Sequence, residues 1–311
     1  MRIVWLWLVL LIVPFVTHDN VLLSLVIFSF ILGIVAVSFN VIFGLAGQLS
    51  LFHAAAFGLG GYTTYLSMKH WGVSFWIGML CGAVFVGVLA LVIGAICFRF
   101  RLKEFYFAIV TLAFAEIARL IVLNWNSLTN GTQGINFSLK PSLWLPGSGV
   151  IPVQGTTMWY YLSLVGLILA VAFYSLLAKS WVGRTLAAIR LNEDLAETLG
   201  INIFRYKLAI FVLGSMGGAA GGSLYAFYIG FVEPQYLSAD QSLAILSMAL
   251  LGGKEFIAAP AVGAAVLTAL PHLINLNAEL RLLVYGLILI ATILLLPRGI
   301  VGTLIKRRHV S

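Results

Sequence analysis

Residues 183–202 read GRTLAAIRLNEDLAETLGIN, a polar island in a chain of 311 residues that is 62% hydrophobic and only 9% charged. Arg184, Arg190, Glu193, Asp194 and Glu197 fall inside it. Widening the window to 179–207 adds Lys179, Arg205 and Lys207, so that 8 of the 28 formal charges stand together. A soluble domain carries about a quarter charged residues. Here the mean hydropathy is +1.08 and the charge is gathered into short islands between long apolar runs. That composition predicts an all-α polytopic membrane protein.

The island itself carries helix signals. Residues 184–191 are good helix formers. Asn192 is placed to cap a second helix by accepting from its free backbone N–H groups. Glu193 and Asp194 then occupy a first turn, where the helix dipole favours negative charge. Gly200 fits just beyond the end as a left-handed cap. The pattern predicts a helix-turn-helix element with Leu186, Ile189, Leu195 and Leu199 free to face another surface. The residues alone leave open a polar loop folded back on its own membrane domain.

Around the island, apolar runs mark spans at 3–16, 21–43, 47–67, 74–98, 104–123, 159–178, 207–231, 239–253, 256–276 and 279–297, about ten helices by the length a bilayer requires. The run 239–253 is short and either crosses or re-enters. Threading ten crossings puts Arg99, Arg101 and Lys103, the 179–207 island, and Arg298, Lys306, Arg307 and Arg308 on one side. Basic loops favour the cytoplasm, so both termini are expected there. The segment 124–158 falls on the opposite, periplasmic side and is too long for a simple connection. The whole chain, 1–311, reads as one transmembrane domain between these two loops.

The net charge of +8 arises from loops and tail, not from a patch fit for nucleic acid. Cys81 and Cys97 are sixteen residues apart in one apolar run, about 24 Å along a helix, so they do not bridge. No metal-ligand cluster, paired carboxylates or nucleophile–base set appears, so intrinsic enzyme activity is not expected. There is also no phosphate-binding loop, since LGGKEF at 251–256 lacks the first glycine and the Ser/Thr.

Within the spans, Glu116 and Arg119 are the costly side chains. At i, i+3 they share a helix face and can pair. The plain reading is a structural ion pair. The sharper one has Glu116 meeting a substrate ammonium and Arg119 a substrate carboxylate. Gln48, Ser50 and His53 interrupt another apolar span and either pack or line a pathway, with Gly44 and Gly47 able to break the helix there. Gly214, Gly218 and Gly222 recur every fourth residue, the spacing that lets helix backbones approach in lipid.

Four stretches resemble one family, in order. They are SFNVIFGLAGQLSLFHAAAFGLGGYTTYL at 38–66, TLAFAEIARLIVLNW at 111–125, TNGTQGI at 129–135, and the island followed by RYKLAIFVLGSMGGAAGGSLYAFYIGFVEPQ at 205–235. Together they resemble the permeases of branched-chain amino acid ABC importers, with the M-type subunit as the best fit. The resemblance implies that 183–202 is a coupling element docking on a cytoplasmic ATPase, through Gly183, Arg184, Ala188, Arg190, Asn192, Glu193, Ala196, Leu199 and Gly200. It further implies a second homologous permease, two ATPase subunits that hydrolyse the ATP, a periplasmic or lipid-anchored substrate-binding protein, and a bacterial inner-membrane location. No cofactor is expected on this chain. Leucine, isoleucine or valine is the implied substrate, while relatives carrying urea, amides or other amino acids fit the same motifs. An ion-coupled secondary transporter would leave the capped island without a purpose. One departure from the family pattern is GGKEFIAAP at 252–260, where Lys254 and Glu255 interrupt the usual glycine-rich turn.

Overall fold

The computed structural model describes residues 19–145 and 149–273 continuously, with Pro14 and positions scattered between 283 and 303. The expected first span, 3–16, and most of the last, 279–297, lie outside the described residues.

Helix α1, Asn20–Asn40, starts where Asp19 accepts a hydrogen bond from the Val21 amide at 2.9 Å. It runs on into a π-helical turn, Val41–Leu45. Then come α2 (His53–Trp71), α3 (Phe75–Arg99), α4 (Glu104–Asn124) and α5 (Thr156–Lys179). The island supplies α6 (Trp181–Leu191) and α7 (Glu193–Thr198). The rest is α8 (Ile203–Ile229), α9 (Ala239–Gly252) and α10 (Ala259–Leu273).

Among the described residues, five segments are long and apolar enough to cross a bilayer: 20–45, α3, α4, α5 and α8. The short helices α9 and α10 rise about 21 and 22 Å, less than the ~30 Å hydrocarbon thickness. Of the ten expected spans, five thus stand among the described residues as helices of crossing length, and the run 239–253 is one of the short ones. Helix α8 lies at the centre and packs on α1, α2 and α3, while α1 also packs on α5 and α10. Small residues make this possible. A Cβ at Gly222 would stand 1.9 Å from the Phe57 carbonyl oxygen of α2, and one at Gly214 would stand 2.6 Å from the Ile42 side chain in the π turn after α1.

The two ends of the bundle differ. At the basic end, Arg101 of the 99–103 loop pairs with Glu197, and Asn40 Nδ2 donates to the Phe256 carbonyl at 3.3 Å. Gly299, next to Arg298, lies against Gly253. Loops of the first two basic clusters therefore meet at this end, while Arg298, Lys306, Arg307 and Arg308 lie outside the described residues. The far end holds the 124–158 segment, which is structured and not purely helical. It contains β1 (Ile135–Asn136) and the hairpin β2 (Ser142–Leu145) with β3 (Gly149–Pro152), in register Ser142 to Pro152. Strand β1 pairs antiparallel with β4, Phe231–Val232, just past α8. The Trp76 indole N–H donates to the Ser142 carbonyl at 3.0 Å, and Tyr65 stacks on Phe137 at 4.4 Å, so this segment caps the helix ends.

Candidate functional site

The 179–207 island folds as two capped helices. Ser180 Oγ accepts from the Gly183 amide at 3.4 Å and so starts α6. Asn192 Oδ1 accepts from the Leu195 amide at 3.0 Å and starts α7, with Glu193 and Asp194 in its first turn. Gly200 has φ +82°, the left-handed conformation a side chain disfavours, and Asn202 then caps α8. Gly183 is needed for another reason: a Cβ there would stand 2.1 Å from the Ala178 carbonyl oxygen.

Not every apolar position of the element is free to dock. Leu186 and Ile189 are fully buried in the chain's own packing, which corrects the expectation that they face outward. Gly183 and Ala196 are buried as well. Leu191, Leu195 and Leu199 are exposed, as are Arg184, Ala188, Asn192 and Glu193. One face of the element thus closes on the bundle and the other presents apolar and charged side chains together.

Three polar contacts hold the element to the bundle. Lys207 Nζ lies 2.6 Å from Glu193 Oε1, and Arg101 forms a two-pronged pair with Glu197 at 2.6 and 3.1 Å. The Arg190 guanidinium donates to the Gly44 carbonyl in the π turn of α1. Lys254 lies beside that same turn, its ammonium 5.5 Å from the Phe43 ring centroid and its carbonyl close to Gly44. The departure at 253–256 therefore sits next to the island, on the same end of the bundle.

Deeper in, the helix break expected near Gly44 and Gly47 is present. Gly47 has φ +70°, and residues 47–50 have no regular structure. Both backbone groups of Leu51, just past the break, are taken up within the chain: its amide donates to Thr111 Oγ1 at 3.1 Å, and Ser242 Oγ donates to its carbonyl at 2.7 Å. Thr111 and Ser242 were not among the residues singled out by sequence, because only the fold brings them to residue 51. Gln48, Ser50 and His53 are all buried. Ser50 precedes α2 and does not share a helical face with His53, contrary to their spacing in the expected span. His53 Nε2 stands 3.2 Å from Ser38 Oγ on α1, and its ring meets Phe39 edge-on at 5.4 Å.

Glu116 and Arg119 do pair, Arg119 Nε lying 3.0 and 2.9 Å from the two carboxylate oxygens. Each charge is answered by the other, and both side chains are only partly buried, on a helix whose outer face is largely exposed. No group of three or more metal-binding side chains occurs among the described residues.

Residues 21–293 match the family described as "Branched-chain amino acid transport system / permease component". The chain is similar to the high-affinity branched-chain amino acid transport permease LivM of Escherichia coli K12, with 27% identity over 285 residues, 86% of this chain and 67% of that one. It is also similar to LivH of Salmonella typhimurium LT2, at 24% identity over 280 residues, 87% of this chain and 91% of that one. A solved chain of PsaBC from Streptococcus pneumoniae in complex with Fab superposes with TM-score 0.46 and 14% identity over 88% of this chain and 91% of that one, a likeness that bears no functional weight.

Proposed function

This chain belongs to the branched-chain amino acid transport permease family, and from that premise we propose that it forms half of the translocation pathway of an ATP-driven importer. It is a multi-pass protein of the bacterial inner membrane. In the proposed assembly it pairs with a second permease of the same family. Two ATPases bind the basic end, and an external binding protein delivers a branched-chain amino acid to the far end.

The observation that carries this reading is the build of the 179–207 element. It is capped at every helix start, tied to the bundle by three polar contacts, and exposed on its other face. A rigid lever of this kind transmits force, whereas a flexible loop would absorb it. Closure of an ATPase dimer would push α6 and α7. The Arg190–Gly44 contact would pass that motion to α1 at its π turn, a weak point in the helix ladder. The helices around α8 would then re-pack between outward- and inward-open arrangements, which is alternating access. Hydrolysis is assigned to the partner, and no cofactor to this chain.

The test is purification of the tagged chain from its native membranes. Co-purification of an ATPase is expected, and it should disappear when Leu195 and Leu199 are changed together to Asp. Vesicles holding this chain alone that concentrate leucine would refute the reading.

A further inference from the structure

The chain re-enters the bundle after α8. Val232 lies against Gly61 of α2, level with Ala226, and Leu237 lies against Gly58. Counted along α8, these points lie roughly 5 and 10 Å inside its far end. Between them sits Glu233, half-buried, followed by a 3-10 turn, Pro234–Leu237, that delivers Tyr236.

Glu233 has no cationic partner and no side-chain hydrogen bond among the described residues. Tyr62, within electrostatic reach of Glu233, is 2% exposed, and its buried hydroxyl has no hydrogen-bond partner among the described residues. Tyr236 stands within electrostatic reach of Glu233, Tyr62 and Tyr225. Its ring meets Tyr225 edge-on at 5.5 Å and Phe57 at 6.0 Å, while Phe57 and Tyr225 lie 5.1 Å apart. The cluster therefore joins an uncompensated carboxylate, a buried hydroxyl lacking a partner, and aromatic rings.

A carboxylate placed below the membrane surface is costly unless something answers its charge. Glu116, a carboxylate within the span 104–123, is answered by Arg119. Glu233 has no such answer, and its surroundings suit one chemical group. A primary ammonium carries three donors, which match a carboxylate and tyrosine oxygens, and a positive charge that aromatic faces attract. From this we infer that Glu233, Tyr62 and Tyr236 form a binding point for the ammonium group of the transported amino acid, just beneath the 124–158 cap. The inference rests on the importer reading and moves the charge-recognising role from Glu116 to Glu233.

The experiment uses the full importer in its native cells, with substitutions made in place. Uptake of labelled leucine and of acetamide, which has no ammonium, is followed together with co-purification of the ATPase. Glu233→Gln should lower leucine uptake about ten- to a hundredfold, the loss expected for one charged hydrogen-bonded contact, with the ATPase still bound. Glu233→Asp should retain part of the uptake. Should Glu233→Gln fail to assemble, Tyr62→Phe decides, because it removes one oxygen from a group with no partner. It should lower leucine uptake about threefold or more. Leucine uptake unchanged in the assembled variants overturns the ammonium site and leaves the importer standing. Wild-type cells that import acetamide through this system but not leucine also overturn it. Wild-type cells in which deletion of the chain changes neither uptake overturn the importer reading, and this inference with it.

Discussion

Lys207 and Glu193 meet at 2.6 Å, with the lysine side chain 5% exposed and the glutamate 50%. A buried cation at the root of α8 is therefore held by an acid that stays half in solvent on α7. The Arg101–Glu197 pair has the same length but far more solvent around it, at 75% and 46% exposure. Two contacts that look alike on paper should then differ in worth.

Glu193→Gln leaves the buried ammonium without its partner and should lower the stability of the purified protein by about 1–3 kcal/mol. Glu197→Gln breaks a solvated pair and should cost about 0–1 kcal/mol. Thermal unfolding in detergent checks both. Equal losses would mean that Lys207 finds another partner.

Arg190→Ala cuts the link between α6 and the Gly44 carbonyl without touching the exposed leucines. The ATPase should still co-purify, while substrate moved per ATP hydrolysed should fall about fivefold or more, the scale of a typical coupling energy. Arg190→Lys keeps the charge but not the fork, and should fall between. A normal ratio in Arg190→Ala would remove this contact from the transmission path.

Glu116→Gln and Arg119→Gln each strand one charge on α4, and each should destabilise more than the double substitution does. The double-mutant cycle should return a coupling of about 0.5–3 kcal/mol. With the double variant assembled, leucine uptake should stay near normal. Its loss would restore the substrate-contact role to this pair.

Gly222→Ala would place a methyl 1.9 Å from the Phe57 carbonyl oxygen, so α8 and α2 must part along the centre of the bundle. Yield of folded protein should collapse. Gly200→Ala meets open space but forces a side chain into φ +82°, and should cost only about 1–2 kcal/mol. Fluorescence-detected size exclusion on both variants separates the two costs.

Where a property depends on near neighbours, sequence was enough. The apolar runs at 21–43, 74–98, 104–123, 159–178 and 207–231 emerge as helices within a few residues of their expected limits, because hydropathy and length are properties of the segment itself. Asn192 as a cap, Glu193 and Asp194 in the following turn, and the left-handed Gly200 were legible for the same reason. The pairing of Glu116 with Arg119 needs only the helical repeat that sets them on one face.

Other features arise from contacts between distant parts of the chain. Leu186 and Ile189 carry the same apolar side chains as Leu195 and Leu199, and only the packing of α6 against the bundle separates buried from exposed. The break at 47–50 is foreshadowed by its glycines, but Thr111 and Ser242, which take up the backbone groups of Leu51 beside it, lie 60 and 191 residues away. Glu233 carries no local signal in its loop-like EPQ stretch, because its meaning depends on Tyr62 and on depth below the cap. Composition and local pattern thus determined a helical membrane protein with a capped, charged knob, and the permease role came from its resemblance to a family. The tertiary structure decided which polar groups are satisfied and which are left waiting, since in a bilayer a group's cost is set by whatever distant partner the fold brings within reach.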